Sequence, residues 1–295
     1  MKKIVFALIC ITCLVLFSFR KSSLKTISIN DAVSQGLIRV RLSGKGGHSG
    51  ECVSLDIQNL KDNSLSILFK PGHRINSSNE DEQDLLIVKE QIIALNAKEK
   101  KPIPINAFCC QLQNKCPAQG SGFKLGKPAD ANLVKLSNFI NSIHVPNEII
   151  QEAVWCVSND NSPSSIALPY EENKNKELRK TVDSLRKFVC KLTNKPDNWY
   201  STPQDRHQNA ERIIVPNPVE VFGSLSYEVK TPSAIDMNLI GPDGKLIMNM
   251  NGSKLTKKGT CQYNFHVKVT GYPQGIYHVI LKAGTTQILD KEFTI

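Results

Sequence analysis

The sequence predicts a mainly β protein with some α structure. An N-terminal antiparallel β-sandwich carries two or three packed helices, and an immunoglobulin-like β-sandwich follows it. Three observations predict this. Short runs of alternating apolar and polar residues, separated by turn residues, recur up to Cys109. Apolar residues at helical spacing then occupy the stretch from Leu133 to Leu192. After Val215-Pro216-Asn217-Pro218 only short strands and turns remain. The two prolines lack backbone N–H groups and hold φ fixed, so neither a helix nor a central strand runs through them. They mark a stiff joint between two bodies, each with its own core.

The division expected is a signal peptide at 1–21, a sandwich with helices at 27–200, a linker at 201–214 and a C-terminal sandwich at 215–295. At 295 residues the chain is long enough for two such cores. Lys2-Lys3 precedes an apolar run from Ile4 to Phe19, closed by Arg20-Lys21. The run is shorter than the roughly 20 residues a spanning helix needs, and it fits a secretory h-region. An uncleaved anchor is the alternative. The chain is therefore expected outside the cytoplasm, secreted or on the outer cell surface, touching membrane only through this segment.

Ile38, Val40 and Leu42 alternate with Arg39, Arg41 and Ser43 as a half-buried strand. The glycine-rich stretch Gly44 to Gly50 leads into a second strand at Cys52–Ile57, not into a helix, so it reads as a hairpin connection and not as a phosphate cradle. Further strands are expected at Leu65–Phe69, Leu85–Val88, Gln91–Leu95 and Ile103–Cys109. The acidic stretch Asn79 to Asp84 lacks the spacing of a calcium loop and reads as solvated surface. Helices follow at Leu133–Ile143, from Pro146 with Asn147 as N-cap, and at Asn175–Leu192. Each shows an apolar stripe that needs a partner, and the sandwich is the partner at hand. Beyond the joint, Leu225–Val229, Ile235–Ile240, Lys245–Met250, Cys261–Val269, Gly275–Leu281 and Gln287–Ile295 read as strands, with a tight turn at Gly241-Pro242-Asp243-Gly244.

Charge excludes one class of partner. The formal net charge is +10, and Lys2, Lys3, Arg20 and Lys21 supply four of those charges. The remaining basic residues are mixed with acids, with no basic block interleaved with aromatics, so no nucleic-acid surface is expected. Seven cysteines follow the signal: Cys52, Cys109, Cys110, Cys116, Cys156, Cys190 and Cys261. In an oxidising compartment they can pair, and Cys110 with Cys116 and Cys156 with Cys190 are the expected bonds. The odd count leaves one thiol over. No spacing makes a zinc site, and no metal or cofactor is expected. The histidines stand singly, outside any nucleophile motif, so no catalytic residue is assigned and the chain is expected not to be an enzyme. A hydrolase site assembled in space is the alternative. Trp155, Trp199 and Tyr200 are candidates for a ligand platform, for a surface protein or glycan, or else for core.

Two groups of residues resemble known families. Pro216-Asn217-Pro218, a strand ending in Asp243-Gly244-Lys245, Gly275-Ile276-Tyr277 and a terminal Lys291-Glu292-Phe293 are similar to the type A C-terminal sorting domain of type IX secretion cargo. They also resemble the FlgD-type immunoglobulin-like module. The resemblance covers about residues 213–295 and implies transit to the outside through the secretion machinery as partner. An ordinary accessory sandwich is the other reading. Ala107-Phe108-Cys109-Cys110, followed by Ile150-Gln151-Glu152-Ala153-Val154-Trp155, resembles the thioester domains of bacterial surface adhesins. That resemblance implies Cys109 as nucleophile and Gln151 as acyl donor. The expected function is thus a non-catalytic binding or adhesion module with a sorting domain. The alternatives are a covalent adhesin and a secreted hydrolase.

Overall fold

The computed structural model describes residues 26–295. The signal segment expected at 1–21, with Cys10 and Cys13, lies outside the described residues. Strand makes up 43% of the described residues and helix 20%, so the protein is mainly β with some α structure, as its patterning predicts. The described residues form two compact units: one comprises residues 26–40 with Ile57–Phe69 and Gln91–Lys101, and the other holds the rest.

In the first unit, β1 (Thr26–Ser28) pairs parallel with β4 (Leu65–Phe69), and β4 pairs antiparallel with β7 (Gln91–Leu95). The short helix α1 (Ile29–Ser34) buries Ile29 and Ala32, and the Ser28 hydroxyl caps it by accepting from the Asp31 N–H. Periodicity does not reveal β1 or α1, because three- and six-residue elements are too short to repeat a pattern. The β1–β4 pairing departs from the all-antiparallel expectation.

A seven-stranded sheet follows the order β8-β3-β2-β10-β5-β6-β9, from β2 (Ile38–Lys45), β3 (Val53–Asn59), β5 (His73–Ser77), β6 (Leu85–Ile87), β8 (Lys100–Ile105), β9 (Phe108–Cys109) and β10 (Gln119–Pro128). β10 sits between β2 and β5, with Phe123 opposite Leu42 on one side and Ser77 on the other. Its glycines and lysines hide it from sequence patterning.

In the second unit, α2 (Ala131–Asn141), α3 (Asn147–Ser158) and α4 (Lys176–Thr193) build one core with Leu86, Val88, Phe108 and Cys110. Phe139 of α2 stacks on Phe188 of α4 with ring centroids 4.3 Å apart. The helices thus pack chiefly on one another, not each separately on a sandwich. α3 is buried without interruption from Ile149 to Cys156, so it is the central helix and not a one-stripe surface helix. Pro146, not Asn147, holds the cap position of α3.

The C-terminal sandwich has a separate core. One sheet joins β11 (Tyr200–Ser201), β14 (Glu220–Val229) and β18 (Gly259–Lys268); the other follows the order β16 (Leu246–Asn249), β15 (Ser233–Ile240), β19 (Ile276–Ala283), β20 (Thr286–Thr294), with β17 (Lys254–Thr256) also on β15. Val221, Leu225, Val229 and Phe265 of the first sheet and Ile235, Met237, Leu239, Tyr277 and Phe293 of the second are all buried in it. The sorting-type residues take structural positions here. Gly244 has φ +76° in the tight turn, and Asp243 Oδ1 accepts from the Lys245 N–H at 3.1 Å. At Gly275, φ is +151° and an added Cβ would lie 2.7 Å from Pro242, so both backbone and space demand glycine. Tyr277 stacks on Phe293 at 5.2 Å and donates to the Pro273 carbonyl.

The stretch 201–214 is not a free linker. Its polar residues form the paired strands β12 (His207–Gln208) and β13 (Ile214–Val215), and Thr202, Pro203 and Ile214 are buried. Within the proline stretch, the Asn217 carbonyl accepts from the Asp205 N–H at 2.8 Å and Pro218 bridges to Gln204. The C-terminal core also reaches upstream of 215: Tyr200 belongs to it, and the Trp199 Nε1–H donates to the Glu292 carbonyl at 2.7 Å.

Candidate functional site

Helix α3 organises the site. Gln151, Glu152 and Trp155 are all buried on it, although two are polar. Buried polar side chains need partners, and each finds a different one. The Gln151 amide continues the β ladder: its Oε1 accepts from the Cys109 N–H at 3.0 Å and its Nε2 donates to the Cys109 carbonyl at 2.8 Å. The same Cys109 N–H donates to the His48 carbonyl at 3.0 Å. This contact anchors the glycine-rich stretch beside α3 and fixes His48 there.

Glu152 pairs with Arg206 in a two-pronged contact. Arg206 Nε donates to Oε1 and Nη2 donates to Oε2 at 2.8 Å, with each side chain only 8% exposed. The Arg206 guanidinium carbon lies 5.1 Å from the centre of the Trp155 ring, and His48 stacks on that ring at 5.7 Å with a 22° tilt. Arg206 Nη1 and Trp155 Nε1 are buried donors without a hydrogen-bond partner among the described residues. A buried unpaired donor costs about 1–3 kcal/mol.

These residues line a cavity of about 460 Å³. Ile149, Leu168 and Pro203 supply apolar wall, and Glu148, Glu172 and Asp205 bring exposed carboxylates to its edge. Burial holds the His48 imidazole below its ordinary pKa; Glu152 and Glu148 oppose that shift and Arg206 adds to it. His48 is therefore neutral at neutral pH, and Glu152 and Arg206 cancel.

The expected disulfides are absent: all seven cysteines of the described residues are free. Cys109 ends β9 and Cys110 lies just beyond it, and their thiols take different partners. Cys110 points back towards the Phe108 carbonyl, 3.8 Å away, while the thiol that Cys116 meets is that of Cys109. A hydrogen bond from Cys109 favours the Cys116 thiolate and lowers its pKa, with Arg212 helping; burial, then the same contact, raises that of Cys109. Cys156 turns to the Ser162 carbonyl at 3.4 Å and Cys190 to the Pro196 carbonyl at 3.6 Å, each satisfied locally. Burial pushes the Cys52, Cys110 and Cys156 thiols up to about 12.

The three aromatics do not form one platform. Trp155 is 1% exposed and walls the cavity, whereas Trp199 and Tyr200 pack on Phe265 and Phe293 in the C-terminal core. Large aromatic surface is worth more buried than displayed. Cys109 and Gln151, 42 residues apart in sequence, are brought together. Sequence reasoning missed Glu152, Arg206 and His48 as a set. Arg206 lies in a polar aperiodic stretch, and no local signal marks a partner 54 residues away. His266 and His278 sit on the C-terminal sandwich beside Glu220 and Asp290. No protein-family model, curated protein or solved structure matches the chain.

Proposed function

We propose that this chain is an exported, non-catalytic binding module whose ligand seats in the cavity beside α3, and that its C-terminal sandwich serves secretion and display. The observation that carries the binding reading is the Glu152–Arg206 pair on Trp155. A buried ion pair adds little stability over apolar residues of the same volume. Held in the wall of a cavity, it suits ligand recognition. The chain contains two tryptophans, so Trp199→Phe leaves Trp155 as sole indole reporter. Saturable fluorescence changes are expected with at least one member of a panel of peptides, amino-acid amides and saccharides, and Arg206→Lys should weaken them. A flat response to every class would end the reading. For the secretion role, a reporter fused to the segment from Trp199 onward is expected outside a host with type IX secretion; retention in its periplasm would count against it.

The meeting of Gln151 with Cys109 favours a second reading, a covalent adhesin. The Cys109 thiolate would attack the Gln151 side-chain carbonyl, the C–N bond would break, and ammonia would leave with the thiol proton. The Cys109 thiol is hydrogen-bonded to Cys116 in this structure, so its side chain must first turn towards Gln151. Intact mass decides: a thioester lowers the mass by about 17 Da, and methylamine removes the deficit.

A further inference from the structure

The seven cysteines of the described residues divide by what their thiols face. Five donate to a main-chain carbonyl: Cys52 to Ala107, Cys110 to Phe108, Cys156 to Ser162, Cys190 to Pro196 and Cys261 to Gly259. Cys109 and Cys116 instead meet each other, thiol to thiol. The fold pins both ends of this contact. One segment carries both: Leu85 pairs with Cys109, and Glu82 bridges to Lys115, the neighbour of Cys116. Between them, the Gln83 N–H donates to the Lys115 carbonyl at 3.0 Å. The Gln151 amide holds the Cys109 backbone from the other side. Arg212 holds that of Cys116: its carbonyl accepts from the Cys116 N–H at 2.8 Å, and its Nη1 donates to the Cys116 carbonyl at 2.7 Å. With both backbones fixed and the sulfurs in contact, joining them asks only for side-chain rotation. The pair is also polarised. The Cys116 sulfur accepts from Gln83 Nε2 at 3.7 Å and from the Cys109 thiol, with Arg212 near, so its thiolate is favoured while burial keeps Cys109 protonated.

We propose that Cys109 and Cys116 are a redox pair that closes to a disulfide under oxidising conditions and so withdraws the Cys109 sulfur from Gln151. The proposal is independent of the binding reading and competes with the covalent one for a single sulfur. The oxidant is a small-molecule or protein disulfide. The Cys116 thiolate attacks one of its sulfurs; that S–S bond breaks, and the first leaving thiolate takes the proton Cys116 gave up. The Cys109 sulfur then attacks Cys116 in the mixed disulfide and passes its own proton to the second leaving thiolate. Two protein thiols are oxidised, and the oxidant is reduced to two thiols. Both cysteines are fully buried, whereas Gln111 to Lys115 are partly or fully exposed. The oxidant therefore meets Cys116 when this loop lifts, or while the chain is folding.

The full chain is equilibrated with oxidised and reduced glutathione by two routes, from the native state and by refolding from urea with reductant. Free thiols are then blocked. The oxidised chain should lack two hydrogens, about 2 Da, and take up two fewer blocking groups. Trypsin cuts after Lys115, so Cys109 and Cys116 leave in separate peptides that only this bond joins. Cys110 travels with Cys109, and Cys110→Ala should keep the bond, as should Cys52→Ala. Cys116→Ala should abolish it; the map of the parent chain locates the bond whether or not that variant folds. Four results would overturn the inference: no loss of hydrogens by either route, a bond carried by other cysteines instead, a lasting glutathione adduct on Cys116, or a deficit of about 17 Da that oxidation leaves in place. The last would support the covalent reading.

Discussion

Glu152 and Arg206 are each worth more as a pair than alone. Glu152→Gln leaves a guanidinium buried without its countercharge, at a cost of about 3–5 kcal/mol. Thermal melts should show a fall of roughly 6–20 °C for a chain of this size. Glu152→Leu with Arg206→Met removes both charges and should restore most of that loss. A double variant as unstable as the single would show that the pair itself holds the fold. His48 adds a pH dependence. Its folded pKa lies below the unfolded value of 6.5, because burial outweighs Glu152 and Glu148. The unfolded chain therefore binds the extra proton first. This contribution to stability is complete above 6.5 and is lost as pH falls below it through the folded pKa. Melts from pH 7.5 down to pH 5 should fall less steeply in His48→Gln than in the parent. Identical slopes would place the titration elsewhere, with His73, also lowered by burial, the next group to test.

At the scale of elements, α3 and β9 are joined by the Gln151 amide. Gln151→Ala leaves the Cys109 carbonyl without that donor, while the Cys109 N–H keeps the His48 carbonyl. The expected loss is about 1–3 kcal/mol, with faster hydrogen exchange concentrated at residues 107–110. Loss spread evenly over the chain would argue against this seam. Much of α3 was legible beforehand, because Ile149, Ile150, Ala153 and Val154 repeat at helical spacing. What the spacing could not show is that the remaining face is buried too, since Gln151 and Glu152 look like surface residues until their partners are known. β10 was illegible for the opposite reason. It lies inside a sheet yet carries lysines and glycines, so neither hydrophobicity nor alternation marks it. The glycines of the C-terminal sandwich were readable because a turn and a strand start demand them. Gly275→Ala should cost more than about 1 kcal/mol, seen as a lowered melting temperature, since it strains the backbone and meets Pro242.

At the scale of the whole molecule, the core built by the helices and the core of the C-terminal sandwich are distinct, and the second draws in Tyr200 from upstream of the prolines. The boundary between them was less legible. Arg206 and Arg212 look like linker residues because their partners, Glu152 and Glu82, are far away in sequence. Arg212 also donates to the Cys116 carbonyl at 2.7 Å. Composition separates polar from apolar stretches, but it does not separate a tether from a strap. Trp199 and Tyr200 leave a ligand platform and core open in the sequence, because nothing local ties them to β14, which begins twenty residues later.

The strap bears on how the C-terminal sandwich is released. A protease meets a scissile bond only in extended, unpaired chain, and 201–214 offers little of it: β12 holds β13, Arg206 is buried, and Arg212 is anchored. Trypsin should therefore cut first at the exposed Lys257-Lys258 turn and reach Arg206 only at the rate at which the strap peels away. If maturation severs the C-terminal body, the cell must unlatch this segment before cutting, and the Glu152–Arg206 clasp becomes the timer.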